Sequence, residues 1–96
     1  MISNWIVAYD ISEDRVRNRT SKVLEGFGVR VQASVFEVVL TREKELDELQ
    51  RLLRQLELQD GDSIRMYPLC AACTEGVKEL GRTDNRAFWV PSVIVI

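Results

Sequence analysis

The sequence contains no histidine. This absence excludes catalytic triads that use histidine, zinc sites with imidazole ligands, and acid–base chemistry by imidazole. Long apolar runs are also missing, because the most apolar stretch, Ala87 to Ile96, is much shorter than the roughly 20 residues of a membrane-spanning helix. The N-terminus lacks a basic region followed by an apolar run and a cleavage site. We therefore expect a cytoplasmic protein without a membrane segment.

Positive charge is not in excess either. The 96 residues carry 13 Lys and Arg against 15 Asp and Glu, a formal net charge of −2, which argues against a polycation that coats nucleic acid. The charges are unevenly distributed, since residues 15–36 hold five basic side chains and one acidic one, whereas residues 37–62 hold four basic and eight acidic ones. We expect a single domain, residues 1–96, with a basic side and an acidic side.

Hydrophobic patterning predicts six elements in the order strand, helix, strand, strand, helix, strand. Their predicted bounds are Ile2 to Asp10, Glu13 to Glu25, Val29 to Val31, Val35 to Leu40, Arg42 to Leu58 and Ser63 to Leu69. This order is typical of the α+β class and of its ferredoxin-like βαββαβ arrangement, in which two helices cover one face of a four-stranded antiparallel sheet.

The ends of the predicted helices carry residue types that favour a start or a stop. Ser12 and Thr41 precede the two helices, where a hydroxyl oxygen can accept a hydrogen bond from a free backbone amide. Gly26 and Gly28 follow the first helix, where either could adopt the left-handed backbone conformation that ends many helices. Residues 60–62, Asp-Gly-Asp, predict the turn before the last strand.

The second face of the predicted sheet would be left bare by the helices. We expect it to carry Trp, Tyr and Phe side chains, an apolar patch that a domain of this size would cover by pairing with a second copy. The sequence therefore predicts a homodimer with a core of residues 1–69. Residues 70–96 would form a dimer-packing segment, with a helical turn within residues 74–81 and a C-terminal strand, Ala87 to Ile96, that crosses to the partner's sheet.

Asp10 is the first candidate for chemistry. It ends the first strand directly after Tyr9, so its carboxylate would be held rigidly at the rim of the sheet and could bind a hard cation such as Mg²⁺. The alternative is an aspartate that only forms the turn or caps the helix. One carboxylate makes a poor metal site, but a dimer could supply a pair.

Basic side chains on the first helix are the second candidate. Arg15, Arg19 and Lys22 recur at helical spacing and form one stripe, while Arg17 points elsewhere and Arg30 lies in the second strand. Such a stripe can bind phosphate groups of a nucleic-acid backbone. A solvated helix face with no ligand is the alternative.

Cys70 and Cys73 have the spacing of a redox or metal motif. No second cysteine pair and no histidine completes a zinc site within one chain, and the preceding strand order is not thioredoxin-like. We therefore expect two buried structural thiols. Trp5 and Phe36 are expected in the core or in an interface, although an exposed Phe36 could also stack on a base.

Three blocks of sequence carry a resemblance to a known family: Tyr9-Asp10-Ile11-Ser12, Arg17-Asn18-Arg19, and the segment from Gly28 to Glu37. With the length and the predicted strand order, they resemble the small CRISPR-associated adaptation proteins conventionally numbered two, over residues 1 to about 69. The resemblance implies a homodimeric, ferredoxin-like protein of prokaryotic antiviral defence. Its partner would be the adaptation integrase that inserts new spacers into the CRISPR array.

The resemblance also implies functional residues. Many members of this family are described as Mg²⁺-dependent endonucleases that act on single-stranded RNA or on duplex DNA. The family's metal-binding aspartate corresponds to Asp10, and its residues implicated in nucleic-acid binding correspond to Tyr9, Arg17, Arg19, Arg30 and Phe36. Two hypotheses remain open: a metal-dependent nuclease that requires Asp10, and a non-catalytic dimeric scaffold that holds duplex DNA for the integrase.

Overall fold

A computed structural model of the chain describes residues 2–81 and contains the six predicted elements followed by one short helix. The elements are β1 (Ser3–Asp10), α1 (Asp14–Glu25), β2 (Gly28–Gln32), β3 (Val35–Leu40), α2 (Glu43–Arg54), β4 (Ser63–Leu69) and α3 (Ala71–Glu75). The four strands pair antiparallel in the order β2-β3-β1-β4, which confirms the predicted ferredoxin-like α+β fold. The predicted strand from Ala87 to Ile96 lies outside the described residues.

The alternation of side chains along the strands separates the two faces of the sheet. On β1, Val7 lies opposite Phe36 of β3 and Met66 of β4, and all three face the helices. The core on that side is formed by ten buried side chains: Val7, Tyr9, Ile11, Val16, Leu24, Phe36, Val38, Leu40, Leu49 and Leu53. Since successive side chains of a strand point to opposite faces, Asp10 lies on the face that α1 and α2 leave uncovered.

The composition of this second face differs from the prediction. Trp5 packs against the core cluster and Phe36 is buried within it, which confirms the core position expected for both. Among the described residues, Tyr67 is the aromatic side chain exposed on the second face, at 47%. The face is also partly covered by the chain itself. Asn4 donates a hydrogen bond from Nδ2 to Oγ1 of the buried Thr74, 3.2 Å away, so α3 folds back over the sheet.

Three predictions about helix ends were wrong for identifiable reasons. Glu13 and Arg42, rather than Ser12 and Thr41, occupy the capping positions, and neither makes a side-chain capping bond. The hydroxyl groups of Ser12 and Thr41 donate to the carboxylates of Asp62 and Glu45. Gly26 ends α1 in a right-handed conformation, with φ of −73°. Helix α2 ends at Arg54, earlier than expected, because the following amides bond back three residues rather than four.

Gly28 is required for close strand packing and not for a left-handed turn. It lies in β2, where an added Cβ would come within 2.0 Å of the backbone oxygen of Glu37 on β3. Two glycines of the described residues have a positive φ, Gly61 at 89° and Gly81 at 120°, and Gly61 lies in the turn predicted at residues 60–62. The turn residue was therefore identified correctly, whereas the reason for Gly28 was visible only in the sheet.

Candidate metal and nucleic-acid site

The carboxylate of Asp10 is exposed at the end of the central strand β1. Its backbone is opposite Ser63, the first residue of β4, so the strand is paired up to its last residue. Within residues 2–81, no hydrogen bond or ion pair occupies the carboxylate. A paired strand end thus presents the carboxylate oxygens of Asp10 at the surface.

A second aspartate, Asp62, accepts hydrogen bonds from Ser12 in the loop that follows β1. The backbone amide and the hydroxyl of Ser12 both donate to Oδ1 of Asp62, at 3.0 and 3.1 Å, and the amide of Gln59 donates to Oδ2 at 2.9 Å. These hydrogen bonds, first that of Gln59 and then those of Ser12, hold the pKa of Asp62 below its usual value. The loop before β4 is therefore tied to the loop that follows Asp10.

Sequence reasoning recognised Asp62 only as part of a turn. The bond to Ser12 joins residues 50 positions apart, and no local pattern signals such a contact. The sequence offered one signal for this contact: Ser12 follows the end of β1 and Asp62 precedes the start of β4. Because Asp10 of β1 pairs with Ser63 of β4, the two loops lie side by side.

Arg17 contributes to the same connection from the helix. Its guanidinium donates to the backbone oxygen of Ile11 at 3.0 Å and forms an ion pair with Asp14. Because Ile11 directly follows Asp10, Arg17 stabilises the loop beside the carboxylate. The structure therefore brings Asp10 and Arg17 into the same region, and it gives Arg17 an internal role that the sequence did not predict.

The predicted basic stripe lies on the exposed side of α1. Arg15, Arg19 and Lys22 are all exposed, and Arg15 is within 3.6 Å of Glu13. Arg19 and Lys22 have no charged or hydrogen-bonded partner within the part of the chain that the structure describes. These two side chains are available to bind an anionic ligand such as a phosphodiester backbone.

Arg30 is not brought next to Asp10. It lies on the edge strand β2, separated from β1 by β3, and its guanidinium donates to the hydroxyl of Ser21 on α1. The same group lies 5.5 Å from the ring centroid of Phe36, a distance at which a cation interacts favourably with an aromatic face. Arg30 therefore joins the edge of the sheet to the helix.

The two aromatic residues implied by the resemblance are buried. Tyr9 is 5% exposed and Phe36 is 0% exposed, with their ring centroids 6.3 Å apart. The hydroxyl of Tyr9 donates to the backbone oxygen of Ala33 at 3.4 Å. Neither ring offers a face to a nucleic-acid base, so the expected direct contact is corrected to a packing role.

The donor set at Asp10 fits Mg²⁺ but does not complete a site within one chain. Among residues 2–81, no group of three or more aspartate, glutamate or cysteine side chains is arranged to hold a metal ion. Mg²⁺ keeps several waters and is commonly held by one or two carboxylates, so an unpartnered Asp10 matches its preference. A second copy of the chain could supply a second Asp10 carboxylate.

The prediction of buried structural thiols was wrong. Cys70 and Cys73 are both exposed and both are free thiols. The short helix α3 begins between them, at Ala71. Among the described residues, no helix is long and apolar enough to cross a bilayer.

The fold and the site define a ferredoxin-like domain with an exposed carboxylate at the end of a central strand and a basic stripe on the exposed side of α1. The family model described as "CRISPR associated protein Cas2" matches residues 3–77. The chain belongs to this family, which confirms the resemblance to the CRISPR-associated adaptation proteins.

Individual relatives agree with this assignment. A protein named CRISPR-associated endoribonuclease Cas2 3, from Synechocystis, is 48% identical over 65 residues, covering 68% of this chain and 70% of the relative. The crystal structure of Streptococcus pyogenes Cas2 is similar with a TM-score of 0.68 and 29% identity, covering 81% of this chain and 99% of that one. A chain of a partial Cas6-RT-Cas1–Cas2 complex has a TM-score of 0.65 and 26% identity, covering 78% and 87%.

Proposed function

We propose that this chain is a Mg²⁺-dependent endonuclease of CRISPR spacer acquisition that acts in the cytoplasm as a homodimer, together with the adaptation integrase. The single observation that carries the nuclease is the Asp10 carboxylate, which is exposed, fixed at a strand end and free of partners within residues 2–81. A family relative named as an endoribonuclease supports RNA as the first substrate to test.

The uncovered sheet face supports the homodimer. Asp10 shares this face with Ile6, Ala8 and Tyr67, and the Tyr67 side chain is 47% exposed. Apolar groups exposed in this way favour burial against a second surface. If two copies pair through these faces, each contributes one Asp10, so the dimer offers two carboxylates.

In this proposal, Asp10 from each copy holds the cation, and the internal contacts of Asp62 and Arg17 keep the adjoining loop in place. Arg19 and Lys22, on the exposed side of α1, bind phosphates of the nucleic acid without reading its sequence. When bound, Mg²⁺ supplies charge neutralisation at the phosphodiester and makes water more acidic. In this proposal, Asp10 binds the cation, Asp62 and Arg17 hold the adjoining loop, and Arg19 and Lys22 attract the nucleic acid.

The decisive experiment compares Asp10→Asn with Asp47→Asn. Both remove one exposed carboxylate, but Asp47 lies on α2, on the other side of the sheet. Single-stranded RNA and duplex DNA are incubated with each purified protein, with and without Mg²⁺. We expect cleavage by the wild type and by Asp47→Asn only with Mg²⁺, and loss of cleavage in Asp10→Asn.

Undiminished cleavage by Asp10→Asn would contradict the proposed site. Cleavage of RNA but not DNA, or the reverse, would identify the substrate. Since Asp10 is exposed and makes no internal contact within residues 2–81, the substitution should leave the fold intact, and circular dichroism provides the check.

A DNA-holding scaffold is the second candidate. It is favoured by the lack of a three-carboxylate cluster within the described residues and by the similarity to a chain of a complex that contains Cas1. The scaffold needs Arg19 and Lys22 but not Asp10. A wild-type protein that binds duplex DNA yet cleaves neither RNA nor DNA with Mg²⁺ would support this candidate over the nuclease.

Binding itself has a matched control. The double variant Arg19→Ala/Lys22→Ala removes two unpartnered charges from α1, whereas Lys44→Ala/Arg51→Ala removes the same residue types from the acidic helix α2. We expect the first variant to bind all sequences more weakly and to lower the salt dependence of binding, because fewer phosphate contacts release fewer counterions. Equal weakening by the α2 variant would exclude a specific role for the α1 surface.

A further inference from the structure

The two cysteines form a contact that the proposed function does not use. The backbone amide of Cys73 donates to Sγ of Cys70 at 3.3 Å. Both side chains are exposed, and they are the only cysteines in the sequence. A sulfur that accepts an amide hydrogen bond at an exposed position is accessible to small reagents in solution.

The two thiols are not equivalent. Hydrogen bonds from the amide of Cys73 and then from its thiol lower the pKa of Cys70, because they stabilise the thiolate. The pKa of Cys73 is raised, first by the hydrogen bond that its thiol makes to Cys70 and then by the charge of that neighbour. The thiolate is the nucleophilic form of cysteine. We therefore expect Cys70 to react first with a disulfide and Cys73 to react second.

Hydrogen bonds of Thr74 fix the backbone around this pair of cysteines. Thr74 is buried, and its hydroxyl donates to the backbone oxygen of Cys70 at 2.9 Å. The same oxygen of Thr74 accepts a hydrogen bond from Asn4 in β1 at 3.2 Å. Cys70 and Cys73 therefore stand on a turn that is anchored to the sheet, and their spacing is maintained without help from a ligand.

We propose that Cys70 and Cys73 are a reactive dithiol that closes reversibly to an intramolecular disulfide by exchange with low-molecular-weight disulfides such as oxidised glutathione. The thiolate of Cys70 attacks one sulfur of the oxidant, forming a mixed disulfide and releasing one glutathione thiolate. Cys73 then loses its proton and attacks Sγ of Cys70, releasing the second glutathione thiolate. Two protein thiols are oxidised and one small disulfide is reduced to two thiols, because the two released glutathione thiolates take up the two protons that the protein thiols lose.

The test uses the full chain. Reduced protein is mixed with oxidised glutathione at pH 7, quenched with acid, alkylated with a maleimide and measured by intact mass spectrometry. We expect the wild type to lose the mass of two hydrogen atoms, to resist alkylation, and to regain both thiols with dithiothreitol. Cys73→Ser should stop as a mixed disulfide that carries one glutathione.

The rates of the two single variants test the asymmetry. Cys70→Ser should react more slowly than Cys73→Ser, because the backbone amide of residue 73 still donates to Sγ of Cys70 in Cys73→Ser and stabilises its thiolate. In urea this difference should disappear, because unfolding removes the N–H···S hydrogen bond.

Three results would overturn the proposal: a wild type that accumulates two glutathiones, a wild type that forms disulfides between chains on a non-reducing gel, or variants that react at equal rates when folded. Because both side chains are exposed and Ser retains a small polar group at each position, the variants are expected to fold. Circular dichroism confirms this before the rates are compared.

Discussion

Phe36 distinguishes a packing role from a ligand-binding role more sharply than any other residue implied by the family. Its side chain is 0% exposed in the core between the sheet and the helices. Truncation to alanine would leave a cavity, and buried Phe→Ala substitutions lower the free energy of unfolding by about 3–5 kcal/mol. Since small domains are stable by about 5–15 kcal/mol, Phe36→Ala should be close to unfolding.

Phe36→Leu is the matched control. Leucine fills most of the volume and should cost about 1–2 kcal/mol, between a conservative swap and a full cavity. Urea midpoints measured by circular dichroism at one fixed protein concentration give the stabilities. RNA binding is then measured by fluorescence anisotropy at a low temperature at which the wild type and both variants are folded.

We expect binding by Phe36→Leu to equal that of the wild type, because the ring does not reach the surface. Any loss in Phe36→Ala should follow the fraction of unfolded protein. Strongly weakened binding by a stable Phe36→Leu would refute the reasoning, since it would require direct contact between the ring and the ligand. An unchanged urea midpoint for Phe36→Ala would refute the burial itself.

Three further predictions concern the sheet and its loops. Gly28→Ala should lower the urea midpoint far more than Gly26→Ala, because a Cβ at Gly28 would lie 2.0 Å from the backbone oxygen of Glu37; equal midpoints would contradict the close packing of β2 on β3. Asp62→Asn should be less stable than the wild type at pH 7. The lowered pKa of Asp62 means that its contribution is lost as the pH falls through that pKa, so the two urea midpoints should converge at pH values below it; a difference that persists there would exclude a charge effect. Tyr67→Asp should convert the proposed dimer to a monomer in analytical ultracentrifugation, because it adds a charge to the uncovered face, and a stable dimer would argue for another interface.

Local patterns were sufficient for the fold. Strand β3 was predicted with the bounds it has, Val35–Leu40, because apolar side chains alternate along it and a turn precedes it. Leu49 and Leu53 were expected on the inner side of α2 and are buried there, since residues four apart lie on one face of a helix. Such periodicities depend only on nearby residues and can be read directly from the sequence.

The position of Asp10 at a strand end was also determined by the sequence, and so was the exposed stripe on α1. Only the tertiary structure determined which polar side chains form hydrogen bonds with other parts of the chain. Ser12 became a donor to Asp62, Arg17 an anchor of the loop, and the exposed thiols a contacting pair. The physical reason is that hydrogen bonding and burial depend on distances between segments far apart in the chain, and those distances exist only after the sheet has paired.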